Sequence, residues 1–357
     1  MNSFARLPSS ERRDIIAEAA TDMGVDFTIL EKDFWVCWTL QSLFALSPRH
    51  PPMVFKGGTS LSKAYGLIQR FSEDIDVVTA VDFYLSRGIA DPEKAQSRTQ
   101  QLERMESLDR ACAHYIADDL QNVLREQFAD HLRTREGWAL SVDPDDQHQH
   151  TLLFRYPPSA PEIEHTYIRG QVKIELGWRS VTEPAEARAF KPYVADRFPD
   201  LMDHPNAICT VLSPARTFWE KVTALHAASF RNNVPHFFSR HYSDVASMFQ
   251  AEIGKTASRD FTMLREVREF KQRYYPAARA RYDLAVPGTL AIVPTEAKTR
   301  ALASDYRDMR VMFFRGPPRF NDVMDQLRAL EEQINAHGAA PSERVVVLKS
   351  HNRVPVY

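Results

Sequence analysis

The sequence is short of three things. Only 12 glycines and 3 cysteines occur in 357 residues, and nowhere is there a run of about 18 apolar residues of the kind a membrane-spanning helix needs. Cys37, Cys112 and Cys209 stand far apart and form no CxxC pair, which argues against a disulfide framework or a structural zinc site and for a reducing compartment. The N-terminus carries Arg6, Glu11, Arg12 and Arg13 and does not read as a targeting segment. A soluble, cytoplasmic protein with no membrane contact is expected. A dominant charge is lacking too: 45 Lys+Arg stand against 47 Asp+Glu, a formal net charge of −2. That balance excludes bulk attraction to a polyanion, so a nucleic-acid partner would need a local patch.

What is present is enough apolar material, 44% hydrophobic and 11% aromatic, to bury one large core or two moderate ones. The 22 prolines gather near 48–52, 157–161, 184–205, 276–296 and 317–318, which read as breaks between packed segments. Helical spacing from Ser9 to Leu46 predicts two helices broken around Met23-Gly24-Val25, the first capped by Ser9 or Ser10. Met53-Val54-Phe55 reads as a strand running into Gly57-Gly58, the one adjacent glycine pair, and then a helix opening on Thr59-Ser60. Residues 72–78 alternate acidic and apolar side chains, a strand with its acids on one face. A long helical region follows over 92–136, then strands at 138–142, 151–156 and 167–178. After Pro205 the pattern turns helical: Ser213-Pro214 begins one helix, and others are expected near 239–249, 258–283, 295–313 and 320–336. The chain thus divides into residues 1–205, mixed strand and helix, and 206–357, mainly helical. Arg344 to Tyr357 reads as a basic, β-rich tail able to add a strand or hold a partner.

The chemistry-bearing residues cluster around the glycine pair. Gly57-Gly58-Thr59-Ser60 lets backbone N–H groups approach an anion closely, a phosphate cradle in principle, although a strand-turn-helix glycine pair also serves plain packing. Asp74 and Asp76 stand about 7 Å apart along one strand face, so their carboxylates can converge on a hard cation such as Mg²⁺ that keeps sites for water and phosphate oxygens. Glu175, on Lys173-Ile174-Glu175, is a candidate third acid able to complete a metal site or act as base, or simply the polar face of a strand. In the helical half, Lys221 and Arg240 can bind triphosphate oxygens. Asp244 lies four residues after Arg240, where it can orient Arg240 or Lys221, or form an ordinary surface ion pair. His226 falls on an apolar face and reads as a satisfied core histidine; His148 and His150 lack a third ligand at fixed spacing. No GxSxG, P-loop or HExxH motif occurs, so triad hydrolases, P-loop NTPases and zincins lose their main support.

At Lys56-Gly57-Gly58-Thr59-Ser60-Leu61, Phe71-Ser72-Glu73-Asp74-Ile75-Asp76, Val172-Lys173-Ile174-Glu175, Phe218-Trp219-Glu220-Lys221 and Arg240-His241-Tyr242-Ser243-Asp244 the chain resembles the AbiEii family. These are nucleotidyltransferase-like toxins of bacterial AbiE-type toxin–antitoxin systems, related to the MenT toxins. Glu31-Lys32-Asp33-Phe34-Trp35, Phe313 to Pro318 and Leu330-Glu331 to Asn335 extend the likeness over most of the chain. The resemblance implies an α+β fold: a DNA polymerase β-like nucleotidyltransferase core with a mixed sheet, followed by a helical domain that completes the site. It implies that Gly57, Gly58 and Ser60 belong to the glycine-serine turn, that Asp74 and Asp76 bind Mg²⁺ or Mn²⁺, and that Lys221 and Asp244 are the later site residues. Ser72 matches a serine that related toxins can carry as a phosphorylation target. An NTP substrate, a tRNA 3′ end as acceptor, a block of translation, a cognate antitoxin and a role in phage defence are implied as well. On the residues alone, a phosphotransferase using the same metal site and a catalytically silent protein-binding module stay open. If RNA is the acceptor, Arg265, Arg268, Lys271, Arg273, Arg279 and Arg281 are expected to form a basic stripe.

Overall fold

The computed structural model describes residues 1–160, 169–231, 233 and 235–338; the tail 344–357 lies outside them. Seven strands, β1 (Met53–Lys56), β2 (Asp74–Thr79), β3 (Ala139–Val142), β4 (Thr151–Arg155), β5 (Gln171–Gly177), β6 (Ala185–Phe190) and β7 (Ala207–Leu212), form one mixed sheet in the order β3-β4-β5-β2-β1-β7-β6. β2 pairs antiparallel with β1 and parallel with β5, so the acidic strand sits near the middle. The α-helices of six residues or more among the described residues are α1 (Ser9–Met23), α2 (Phe27–Phe44), α3 (Gly57–Lys63), α4 (Arg98–His114), α5 (Gln121–Leu132), α6 (Pro214–Ser229), α7 (Ser239–Gln250), α8 (Glu252–Ala257), α9 (Phe261–Tyr274), α10 (Glu296–Asp308) and α11 (Phe320–Gly338). None of the described helices is long and apolar enough to cross a membrane.

Local chemistry explains the boundaries. The expected Ser9 or Ser10 cap is not formed: α1 begins after Pro8 without a side-chain cap and closes on Gly24 at φ 65°, while the Asp26 side chain caps the start of α2 by accepting from Thr28 N–H. Asp305 accepts hydrogen bonds from the Phe237 and Ser239 N–H groups and so fixes the start of α7. One strand, β6, lies in the region read as proline-broken, and another, β7, just past it in the part read as mainly helical. β7 enters the sheet beside β1, and β6 is the edge strand, four of whose six residues are exposed. An edge strand needs no apolar alternation, and prolines at 192, 199 and 205 fall between β6 and β7 rather than inside them.

Alternation along the central strands sorts the two faces of the sheet. Ile75, Val77, Val172, Ile174 and Leu176 are buried on one face, in a core with Trp35, Trp38, Phe128 and Phe154. Asp74, Asp76, Lys173 and Glu175 point to the other. A second core gathers Phe218, Trp219, Val222, Tyr242 and Leu327 from the helical half, and Ile29, Leu61, Ile68 and Phe71 from the first half insert into it. Phe71 N–H also donates to the Met312 carbonyl at 2.7 Å, strapping the two halves together just before β2.

Glu31, Lys32 and Asp33 on α2 are all buried. Glu31 accepts from Ser159 N–H at 2.6 Å, Lys32 Nζ donates to Glu73 beside Asp74 at 2.5 Å, and Asp33 lies 2.8 Å from Lys63 Nζ at the far end of α3. Tyr193 N–H donates to the second Asp33 oxygen at 2.7 Å. Breaking a buried pair leaves an uncompensated charge, so Asp33→Ala is expected to cost about 3–5 kcal/mol. Urea unfolding measures this, and a loss below about 1 kcal/mol would contradict the arrangement.

Candidate active site

A cavity of about 420 Å³ opens between the uncovered face of the sheet and helices α6, α7 and α9. Lys56, Gly57, Gly58, Asp74, Asp76 and Glu175 line it from the sheet side; Arg216, Glu220, Lys221, Arg240, His241 and Lys271 line it from the helices. Sheet register sets the acids side by side: Asp76 stands opposite Lys56 on β1 and Glu175 on β5, and Asp74 opposite Lys173. Glu175 is held by Lys173 Nζ at 2.8 Å.

The glycine pair is there because nothing larger fits. Gly57 has φ 80°, and a Cβ at that position would lie 1.9 Å from Asp76 Oδ2. At Gly58 a Cβ would lie 2.7 Å from Ser72 Oγ and 3.0 Å from Arg70 Nη2. The turn therefore lies directly against the acidic strand and Arg70. Thr59 and Ser60 are fully buried and outside the cavity lining. Their hydroxyls brace the turn, Thr59 Oγ1 donating to the Asp74 carbonyl at 2.5 Å and Ser60 Oγ to the Gly57 carbonyl at 2.9 Å.

Burial pushes the Asp74 carboxyl up to about 6, with the charges of Glu73 and Glu175 adding to the shift. Burial likewise raises Asp76, to about 7, with Glu175 and Asp74 adding and Lys56 opposing. Negative charge is thus held close at a cost that a cation would remove, and carboxylate oxygens are the donors a hard cation takes. Among the described residues no three His, Cys, Asp or Glu side chains converge tightly enough to hold a metal ion by themselves. Asp74 and Asp76 are the side chains whose chemistry would suit such a cation.

On the helical side the main interaction is one that sequence spacing does not reveal. Asp244, 1% exposed, accepts from Arg70 Nε and Nη2 at 2.8 Å each and from Lys221 Nζ at 2.9 Å. Burial opposes its ionisation, but Arg70 and then Lys221 outweigh burial and hold the carboxyl well below the usual carboxylate range. Of the two cations expected beside Asp244, Lys221 is there and Arg240 is not: the buried carboxylate takes its second cation from the buried fork of Arg70, while Arg240 reaches Asp74 at 4.0 Å. Lys221 has three N–H donors, one on Asp244 and one 3.4 Å from His241 Nδ1, which leaves one for the cavity. Burial and the adjacent Lys221 hold His241 well below the usual imidazole range, so it is neutral.

The basic stripe expected over 265–281 is not continuous. Arg268, Arg273 and Arg281 are paired with Glu269, Glu93 and Asp283, and of the six residues only Lys271 lines the cavity. Burial, together with the cations Lys56, Arg216 and Lys221, lowers Lys271 to about 8 despite Glu220. The positive charge lies instead inside the cavity, on Lys56, Arg179, Arg216 and Lys271, none of which carries a motif beyond Lys56 preceding the glycine pair. His226 is satisfied, hydrogen-bonded to the Arg281 carbonyl at 2.9 Å and accepting from Ala291 N–H at 3.1 Å.

Asp244→Asn leaves Arg70 and Lys221 buried with one anionic partner removed, and is expected to cost about 3–5 kcal/mol in urea unfolding. Because the folded carboxyl titrates below the unfolded one, its stabilisation is fully present above about pH 5 and fades as pH falls. Wild type and variant should therefore converge in acid; a constant gap down to about pH 2 would contradict the assignment.

No curated protein matches the sequence. Among solved structures the chain is similar to MenT4, a nucleotidyltransferase toxin from Mycobacterium tuberculosis H37Rv, with 16% identity, TM-score 0.43, and 91% of this chain and 98% of that one covered. It is also similar to JHP933 from Helicobacter pylori, with 12% identity, TM-score 0.41, and coverage of 88% and 96%. The family model described as nucleotidyl transferase AbiEii toxin, type IV toxin–antitoxin system, matches residues 38–333. That match takes in both halves of the cavity, its acids and glycine turn as well as Lys221 and Asp244, and the chain belongs to the AbiEii nucleotidyltransferase toxin family.

Proposed function

We propose that the cavity transfers a nucleoside monophosphate from an NTP to an RNA acceptor, the 3′ end of a tRNA, in a reaction that depends on Mg²⁺ or Mn²⁺ and blocks translation. The observation that carries the reading is the division of the cavity wall: paired acids on the sheet, and cations with an open glycine turn around them. Backbone N–H groups of Gly57 and Gly58 take phosphate oxygens, and Lys221, Arg240 and Arg216 offset the charge of the leaving pyrophosphate. Thr59 and Ser60 hold the turn against β2. Asp74 and Asp76 would hold the cation, which when bound lowers the charge on the phosphates and on the attacking oxygen. Asp244 fixes Lys221 and Arg70 and touches no substrate. As a toxin of this family the protein has a cognate antitoxin, and both are assigned to the cytoplasm.

Asp74→Ala is expected to lower incorporation of α-labelled NTP into tRNA by about a thousandfold or more while leaving the unfolding transition in place. Retained incorporation in that variant would overturn the reading; label reaching an acceptor only from the γ position would assign kinase chemistry instead.

A pH effect follows from the raised carboxyls. Between about pH 4, where unfolded carboxylates ionise, and pH 6–7, where Asp74 and Asp76 do so in the fold, the native state binds more protons than the unfolded one. These two groups therefore make the cation-free protein less stable as pH rises through that window. A cation competes with those protons, so the rise in melting temperature on adding Mg²⁺ should be larger at pH 7.5 than at pH 5.5 and absent from an Asp74→Asn/Asp76→Asn variant. An equal rise at both pH values would contradict the assignment.

A further inference from the structure

A second cavity, about 430 Å³, lies beside the first and shares part of its wall, including Lys56, Asp76, Glu175 and Tyr275. The two are arranged along β2 and β5. The first covers Gly57, Gly58, Ser72 and Asp74; the second begins at Asp76 and Glu175 and runs on past Val78 and Gly177 to Trp178. Asp76 and Glu175 therefore stand between two openings.

The unshared walls differ in charge. The first cavity alone has Arg70, Arg216, Lys221, Arg240 and Lys271. The ionisable groups that only the second has are Asp109, His148 and His150, with no lysine or arginine among them. A triphosphate belongs to the first by charge, and the second suits a ligand that presents hydroxyls and a flat ring. Its far wall is built. Asp109 on α4 accepts from Trp178 Nε1 at 2.9 Å and pairs with Arg179, and its backbone carbonyl lies 3.1 Å from His150 Nε2. At the shared rim stands Tyr275, 44% exposed, its hydroxyl donating to the Arg179 carbonyl at 2.5 Å. That fixes an accessible ring face on which a base can stack.

We infer that the second cavity receives the 3′-terminal ribonucleoside of the RNA acceptor, with His148, His150 and Tyr275 as its recognition residues. The inference rests on the nucleotidyl-transfer reading and adds to it the place and the residues of the acceptor. Phosphoryl displacement is in line, so the attacking oxygen must come from the side of the α-phosphorus opposite the leaving group. With pyrophosphate among the cations of the first cavity, that side is the second. The ribose hydroxyl oxygen forms a bond to the α-phosphorus, the bond from that phosphorus to the α–β bridging oxygen breaks, and pyrophosphate leaves with the electron pair. The hydroxyl proton passes to Glu175 on the shared wall.

The test uses the full chain, Mg²⁺, α-labelled NTPs and bulk tRNA. His148→Glu is the first variant: the residue is exposed, its turn is held by its backbone N–H donating to Asp146 and its ring touches only the neighbouring His150 among the described rings, so the turn is kept while a negative charge is set where RNA enters. His150→Ala is the second. Both should raise the KM for tRNA by about fivefold or more, with NTP affinity measured without RNA unchanged within about twofold. An unchanged KM for tRNA, or NTP affinity falling in step with transfer, overturns the placement of the acceptor. Absence of NTP binding and of transfer in the wild type overturns the nucleotidyl-transfer reading itself, and this inference with it. Label on a protein instead of tRNA assigns the cavity to a protein hydroxyl and overturns the RNA acceptor.

Discussion

Asp244 is the point at which the two halves of the molecule become one site. It lies on α7, and its two oxygens are taken by Arg70 from the loop before β2 and by Lys221 from α6. Arg70 in turn stands 3.0 Å from where a Gly58 side chain would begin. A buried carboxylate needs its charge answered in full, and here the answer comes from residues 174 and 23 positions away. Satisfying one carboxylate thus sets α6 and α7 against the glycine turn, and with them the side chains that face the acids across the cavity.

The sheet imposes the complementary constraint. Parallel pairing of β2 with β5 puts Asp76 level with Glu175, and antiparallel pairing with β1 puts Lys56 on its other side. Burial, with neighbouring acids adding, raises Asp74 and Asp76, while burial and neighbouring cations lower Lys271. Acids predominate on the sheet side of the cavity and cations on the helical side, an arrangement that costs stability and is usual in a site built for a charged ligand. A net charge of −2 conceals this separation because the excess cations of the cavity are balanced elsewhere by acids on the surface.

Much of this was legible in the sequence. The strand, glycine turn and helix at 53–63, the acids of β2 and the start of α6 all follow from local rules of propensity, capping and alternation, and the structure places them so. The strands β6 and β7 did not announce themselves, one being a polar edge and the other lying between Pro205 and the helix start at Pro214. Arg70 could not have been read as a site residue, since nothing near it signals a partner far along the chain. For the same reason helical spacing offers Arg240 as a partner of Asp244 beside Lys221, and only Lys221 is one. Local periodicity finds which residues share a face; it does not find which buried charges meet across the fold.

In the proposed reading the acids and the glycine turn serve transfer of a whole nucleotide. Intact-mass measurement of tRNA after incubation with the protein, Mg²⁺ and each NTP in turn tests it most directly. A gain of one or more nucleoside monophosphates at the 3′ end with release of pyrophosphate is expected; a gain of phosphate alone, or no change with any NTP, would overturn that reading.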